Sequence, residues 1–317
     1  MPSLAFRRLV LATAVATFVL IIVGGVVRVS DSGLGCGPGG SGLHGWPFCK
    51  GNVVPGVDLN SVVEYTHRAL AGAVSIMILA LVVMSWKRYR QFLGVTVALL
   101  LLIAAQAGLG GATVEENLEE ALVAAHLGLA MLLLGGLLYL WRGAQGARPD
   151  SGGPRMRALA IGASVAVFCT IVAGGYMAGT QKYGRPDYQL GDGAHHACGT
   201  QFPGCNGGFM PFGESRLVNI HLTHRAFMYL ASVLLITLIV VALRRRVAVG
   251  YAYGLAALLC AQIFVGALNV WLTNEYEWLI VVHLALGTLL WATTLALTLQ
   301  LAPARSPARG RAEAVAA

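Results

Sequence analysis

Charged side chains are scarce in this chain. Asp, Glu, Lys and Arg supply only 11% of the 317 residues, and 57% of the residues are hydrophobic. Soluble proteins carry roughly 25% charged residues. The shortage of charge therefore excludes an ordinary soluble protein and predicts an all-α integral membrane protein with several spans. Acidic residues are the rarer kind, 14 against 22 basic. No basic face or motif accompanies this excess, so we expect no nucleic-acid partner.

Apolar runs long enough to cross a bilayer as helices occur eight times. They cover residues 8–28, 62–85, 92–113, 120–141, 157–178, 217–243, 247–271 and 278–301. Most basic residues lie in the segments on one side of these spans, and most acidic residues lie on the other. The positive-inside rule then predicts that both termini are cytoplasmic and that the cysteine-bearing loops lie outside the cell membrane. A cleaved signal peptide is the alternative for the first run, although the run is longer than such a segment usually is.

Four histidines inside the apolar runs form a repeated pattern. The spacing from His67 to His126 equals the spacing from His224 to His283. Ionisable side chains within a membrane usually serve a function, although hydrogen bonding within a helix bundle is the plainer alternative. Two imidazoles at one depth can hold a haem iron from opposite sides. Zinc fits less well, because it prefers three or four close protein ligands.

The surroundings of the histidines repeat as well. The first half contains Gly24-Gly25, Glu64-Tyr-Thr-His67-Arg68 and Ala105-Gln106, and the second contains Gly174-Gly175, His221-Leu-Thr-His224-Arg225 and Ala261-Gln262. This order predicts two four-helix bundles related by a pseudo-twofold axis along the membrane normal. The predicted bundles cover residues 1–143 and 157–302. A cytoplasmic linker, 144–156, would join them, and a disordered tail would cover 303–317.

The repeat is broken where Glu64 corresponds to His221. Both residues lie three positions before a proposed ligand, on the same helical face. A carboxylate beside a haem can move protons or stabilise a cationic intermediate, so the N-terminal half is the predicted reaction site. An ion pair with Arg68 is the alternative role for Glu64. Arg68 and Arg225 themselves are candidates to contact haem propionates, or to extend to the membrane interface.

Two pairs of cysteines lie in the predicted outer loops. Cys36 with Cys49, and Cys198 with Cys205, are disulfide candidates because the outer compartment is oxidising. Structural stapling and redox exchange both remain open as their role. Three further histidines in these loops are expected to be solvated and to lack a ligand set, namely His44, His195 and His196.

Taken together, these motifs resemble those of the haem A synthases. The matching elements are Gly24-Gly-Val-Val-Arg28, Ser30-Asp-Ser-Gly-Leu-Gly-Cys36, Trp46-Pro-Phe-Cys49, the two histidine-arginine motifs, Ala125-His126 and Val282-His283. The resemblance covers about residues 6–300. It implies a duplicated four-helix bundle that carries haem b. It also implies an enzyme that converts haem O to haem A, for haem-copper oxidases, by successive oxidation of a ring methyl to a formyl group.

The resemblance also implies roles for single residues. His224 and His283 would hold the haem b iron, His67 and His126 would bind the substrate haem, and Glu64 would be the catalytic carboxylate. Cys36 and Cys49 would support activity, although the segment between them is longer here than is usual in the family. The implied partners are haem O, haem A, a haem O synthase and oxidase assembly factors, and homo-oligomerisation is left open.

Two other functions compete with this interpretation. A di-haem electron-transfer protein of the quinol-linked cytochrome b type would use the same four histidines but would yield only haem b on extraction. A transporter would need a polar pathway or broken helices, which the spans do not clearly show.

Overall fold

Eight long helices account for the eight apolar runs. The computed structural model describes residues 2–146, 152–181, 193–272 and 277–301. The helices are α1 (Leu4–Val29), α2 (Leu59–Arg88), α3 (Leu93–Glu115), α4 (Glu120–Gln145), α5 (Gly153–Gly179), α6 (Arg216–Arg245), α7 (Val249–Trp271) and α8 (Glu277–Gln300). Each is long and apolar enough to cross a membrane. The described part of the chain has no strand, so the predicted all-α membrane class is confirmed.

Several helices begin before the apolar run that predicts them. The side chain of Asp58 accepts a hydrogen bond from the Ser61 amide, 3.0 Å away, and so caps α2. A hydrogen bond from Lys50 lowers the pKa of Asp58 to about 2, so the cap stays ionised at neutral pH. Ser215 caps α6 in the same way by accepting from the Val218 amide. Such caps satisfy amide groups that a helix start leaves free, and they lie outside the apolar residues that fill the membrane.

The helices pack as two groups of four that share a central wall. In the N-terminal group, α1 and α3 each contact α2 and α4; in the C-terminal group, α5 and α7 each contact α6 and α8. The wall between the groups consists of α1, α4, α5 and α8. The pseudo-twofold axis and the bundle boundaries remain predictions. Part of the predicted linker, residues 147–151, and the whole predicted tail lie outside the described residues.

The central wall is stabilised by polar contacts as well as by packing. The Trp291 indole N–H on α8 donates to the Ser164 carbonyl on α5 at 3.1 Å, and the hydroxyls of Ser164 and Thr298 lie 3.0 Å apart. Elsewhere, large apolar side chains point outward: Ile76 is 70% exposed and Leu101 is 66% exposed. Such an outer surface suits hydrocarbon rather than water, as expected for a multi-pass membrane protein.

Candidate active site

Two adjoining cavities lie within the helix bundle. The larger, of about 620 Å³, is lined by His67 and His126 in the N-terminal half. The smaller, of about 130 Å³, is lined by His224 and His283 in the C-terminal half. The larger volume lies within the range of roughly 300–1,000 Å³ that small-molecule sites occupy. The larger cavity also reaches the edges of His224 and His283, so the two predicted histidine pairs face one connected space.

Each of the four imidazoles packs against a glycine on the preceding helix. A methyl group in place of the glycine hydrogen would come within 3.1 Å of the ring in three cases and within 2.8 Å in the fourth. The pairs are Gly24 with His67, Gly110 with His126, Gly174 with His224, and Gly266 with His283. The glycines let each ring approach a neighbouring backbone closely, and the same packing recurs in both halves.

The ring nitrogens are placed to act as axial ligands of an iron ion held in a macrocycle. The Nδ1 atom of His224 donates to the Thr170 carbonyl at 2.9 Å, which leaves its Nε2 atom free for a metal. His67, His126 and His283 keep a buried Nδ1 atom without a hydrogen-bond partner among the described residues. The Leu20 carbonyl lies beside His67, but its geometry falls short of a hydrogen bond. The two imidazoles within each pair are close enough to interact electrostatically.

The donor set has only two histidines per site. Within the described ranges, no group of three or more His, Cys, Asp or Glu side chains is placed to hold a metal ion. The pairs therefore suit a metal that brings its other ligands with it, as haem iron does. By its donors and its volume, the N-terminal site fits a haem. The C-terminal site fits one by its donors, whereas its cavity of about 130 Å³ lies below the range for small-molecule sites and would have to widen.

A glutamine accompanies the second histidine of each pair. Gln106 Nε2 donates to the backbone carbonyl of His126 at 2.9 Å, which leaves the His126 ring unengaged. The Gln262 amide instead lies 3.2 Å from the Nε2 atom of His283. This amide must turn away before that nitrogen can bind iron. Gln106 therefore contacts the backbone of His126, whereas Gln262 contacts the ring of His283.

The Gly110→Ala variant tests the glycine packing. The added methyl group would press on the His126 ring at 3.1 Å, so we expect weaker haem binding at the N-terminal pair and a shifted Soret band. Gly108→Ala is the matched control, because Gly108 lies on the same helix with no atom within 4 Å of the added group. Absorbance titration of the two purified variants with haem gives the comparison. Equal affinities in both variants would contradict a ligand role for His126.

Glu64 lies in the wall of the larger cavity and is only 3% exposed. Its carboxylate pairs with Arg68 and accepts a hydrogen bond from the Cys36 amide at 2.7 Å. The ion pair considered in the sequence analysis is thus present, and the carboxylate still borders the cavity. Among the described residues that line the two cavities, Glu64 is the one carboxylic acid.

The two arginines hold the disulfide loops in corresponding ways. Arg68 donates to the carbonyls of Gly45 and Phe48 at 2.8 and 2.9 Å. Arg225 donates to the carbonyls of Gln201 and Gly204 at 2.9 and 2.6 Å. Both side chains also reach a cavity wall. Their main contacts are loop carbonyls, which sequence reasoning missed, and contact with haem propionates remains a prediction.

His221 replaces the Glu64 carboxylate in the C-terminal half. Its Nδ1 atom donates to the Ala194 carbonyl at 2.7 Å, and the residue is 3% exposed. Glu64 and His221 therefore both tie the preceding loop of their half to the helix that carries a proposed ligand. Only the first of them brings an acidic group to a cavity.

Both predicted disulfides are present in the structure. Cys36 is bonded to Cys49, and Cys198 to Cys205. Because Glu64 accepts the Cys36 amide, the first disulfide lies directly beside the candidate catalytic carboxylate. Trp46, between the two bonded cysteines, lines the larger cavity and packs on Gly111. The first loop thus forms part of the wall of this cavity, whether its disulfide is structural or redox-active.

Replacing Cys36 and Cys49 together by serine is expected to destabilise the protein by about 3 kcal/mol, the loop-closure value for a ring of this size. The loss should also reduce activity, since the loop holds Glu64 in place. Thermal unfolding of the detergent-solubilised protein measures the first effect. The Cys198→Ser, Cys205→Ser double variant is the control, and it should lose stability without disturbing Glu64. Equal activity losses in both would contradict the link to Glu64.

The prediction that His195 is a solvated surface residue is wrong. The imidazole lines both cavities, and its Nδ1 atom is sealed from solvent without a partner among the described residues. Desolvation, reinforced by the nearby His221 and His224, lowers the pKa of His195 to about 3, so the ring is neutral at neutral pH. The burial arises because His221 draws the turn Ala194–His196 onto α6, a contact that local sequence does not encode.

The other two loop histidines lie farther from the site. His44 is exposed, as predicted. His196 is partly buried, and its Nε2 atom lies 3.4 Å from the side-chain amide of Gln181. Neither lines a cavity wall.

Comparison with known proteins shows the family to which the chain belongs. Residues 7–295 match the COX15-CtaA family, described as cytochrome oxidase assembly protein. The Heme A synthase of Symbiobacterium thermophilum is 30% identical over 286 residues, which is 83% of this chain and 85% of that protein. The Heme A synthase of Halalkalibacterium halodurans is 30% identical over 244 residues, 73% of this chain and 72% of that protein. A shorter match to the Heme A synthase of Bacillus licheniformis, 31% identical, covers 44% of that protein.

The family match extends over both disulfide loops and all four histidines. The resemblance drawn from the motifs is confirmed, and the chain belongs to the COX15-CtaA family of cytochrome oxidase assembly proteins.

Proposed function

We propose that this protein is a haem A synthase of the cell membrane. It oxidises one ring methyl group of haem O, through hydroxylated forms, to the formyl group of haem A. The observation that carries the proposal is the position of Glu64, the one carboxylic acid among the described cavity-lining residues, in the wall of the larger cavity. Two similar histidine pairs with an acid at only one of them suit one reacting haem and one resident haem.

In this proposal the two histidine pairs have different tasks. His224 and His283 hold haem b, and His67 and His126 bind haem O as the substrate. Haem b supplies one-electron redox chemistry when bound. His224 and His283 also line the larger cavity, so the groups held at the two sites would lie next to each other.

Glu64 is the group that acts on the substrate in this scheme. Its carboxylate is oriented by Arg68 and by the Cys36 amide, so it needs no rearrangement to face the cavity. A fixed negative charge stabilises positive charge that develops on the methyl carbon, or it orients the water that attacks there. Both tasks need the ionised carboxylate and mainly apolar surroundings, to which Trp46 contributes.

The orientation in the membrane follows from the distribution of charge. Basic segments would place both termini in the cytoplasm and the disulfide loops outside, where the bonds form readily. A haem O synthase would supply the substrate, and assembly factors of haem-copper oxidases would receive the product. A homo-oligomer is compatible with this arrangement.

Co-expression with a haem O synthase tests the function. The host should make no haem A of its own, and the haems are extracted from its membranes and separated by chromatography. We expect haem A only when this chain is present. An extract that contains haem b and unchanged haem O would contradict the proposal and support the di-haem electron-transfer alternative.

A further inference from the structure

The larger cavity continues well below the histidines. Along α2 its wall includes Ala71 and Ser75, one and two turns from His67 on the side away from the disulfide loop. The distance from His67 to Ser75 along the helix is about 12 Å. Ile103 on α3 and Leu133 on α4 line the same depth. A flat macrocycle held between His67 and His126 leaves this lower chamber to something else.

The C-terminal half fills the corresponding space with side chains. Met228 lies four residues after His224, as Ala71 lies four after His67. Ile263 directly follows Gln262, as Ala107 directly follows Gln106. All four line the cavity of their half. Larger side chains at these two positions accompany the smaller volume, about 130 against 620 Å³, although the cavities share part of their walls.

Gln106 places a buried acceptor without a partner in the lower chamber. The Oε1 atom of its counterpart Gln262 is unpartnered among the described residues too, but that amide can turn, since the Nε2 atom of His283 can donate or accept. Gln106 is 8% exposed, and its Oε1 atom has no hydrogen-bond partner within the described ranges. The orientation of the amide is settled, because only its nitrogen can donate to the His126 carbonyl. The hydroxyls of Thr17 and Ser75 already donate to carbonyls of their own helices. The chamber thus combines apolar walls with one acceptor that requires a donor.

We propose that this chamber binds an isoprenoid chain carried by the substrate macrocycle, and that Gln106 Oε1 accepts a hydrogen bond from a hydroxyl group at the root of that chain. The identity of the macrocycle rests on the proposed function. Haem O carries a hydroxylated isoprenoid chain, and haem b does not. The open chamber then selects haem O in the N-terminal half, while Met228 and Ile263 restrict the other half to a haem without such a chain.

Binding measurements on the Ala71→Met variant test the chamber. Purified protein with its C-terminal site filled by haem b is titrated separately with haem O and with haem b, and His67→Ala protein gives the background. We expect Ala71→Met to weaken haem O binding by at least about tenfold and to leave haem b binding unchanged. Ala73→Met is the matched control, since Ala73 lies on the same helix, is exposed and does not line the cavity.

Gln106→Leu tests the hydroxyl contact in the same assay. We expect a loss of about 2–10-fold in haem O affinity, the range of one neutral hydrogen bond, without a change for haem b. Gln91→Leu is the control and should leave haem O affinity unaltered, because Gln91 is exposed and lines neither cavity. The haem b content of each purified variant reports whether it has folded.

Two results would overturn the proposal that the lower chamber binds the isoprenoid chain. One is an unchanged haem O affinity in Ala71→Met, and the other is an equal loss of affinity for haem O and for haem b in that variant. If Ala71→Met is poorly folded, Ala107→Ile replaces it, with the same expectation. Failure of the proposed function would look different. Wild-type protein would then bind haem O more tightly than Ala71→Met does but would leave it unconverted.

Discussion

The Glu64→Gln variant is expected to bind haem at both histidine pairs and to form haem A at least about a hundredfold more slowly than the wild type. Glutamine keeps the shape of the side chain and can still accept the Cys36 amide hydrogen bond. It removes the negative charge from the cavity wall. Membranes that contain the variant should accumulate haem O or its hydroxylated form, which chromatography of extracted haems measures.

Two further variants separate charge from structure. Glu64→Ala also removes the contacts to Arg68 and Cys36, so any extra loss relative to Glu64→Gln reports on the position of the loop. His221→Gln is the control at the equivalent position of the other half. This variant should disturb the hydrogen bond to the Ala194 carbonyl but leave Glu64 and its contacts intact. Normal haem A output from Glu64→Gln would exclude a catalytic role for the carboxylate.

The second large effect is expected from His224→Ala. This variant should lose the haem b proposed for the C-terminal site, because the Nε2 atom that His224 presents would be gone and His283 alone would remain. His67→Ala is the matched variant in the other half, and it should keep haem b but fail to bind haem O. Pyridine haemochrome spectra of purified protein give the haem content. Haem b retained by His224→Ala and lost by His67→Ala would reverse the assignment of the two sites.

The sequence predicts those features that depend on local composition. Eight spans follow from apolar runs of bilayer length, and all eight helices are present. One repeated spacing predicts how the four histidines pair, His67 with His126 and His224 with His283. The structure places each pair at a common cavity. Both disulfides pair cysteines of the same short loop, so the contact is between near neighbours in sequence.

Features that depend on contacts between distant residues could not be predicted. His195 reads as an ordinary loop histidine, and its burial depends on His221, which follows far along the chain. The role of Arg68 and Arg225 as anchors of loop carbonyls depends on how each loop folds back over α2 or α6. The difference between Ala71 and Met228 is visible in the sequence, but its meaning depends on knowing that both positions face a cavity.

Thr170, Gln262 and His283 line both cavities, so whatever fills the C-terminal site becomes part of the wall of the other one. In the proposed assignment the two sites are therefore coupled, because filling either site changes a wall of the other. A variant that empties the C-terminal site, such as His224→Ala, would then also weaken haem O binding in the N-terminal half.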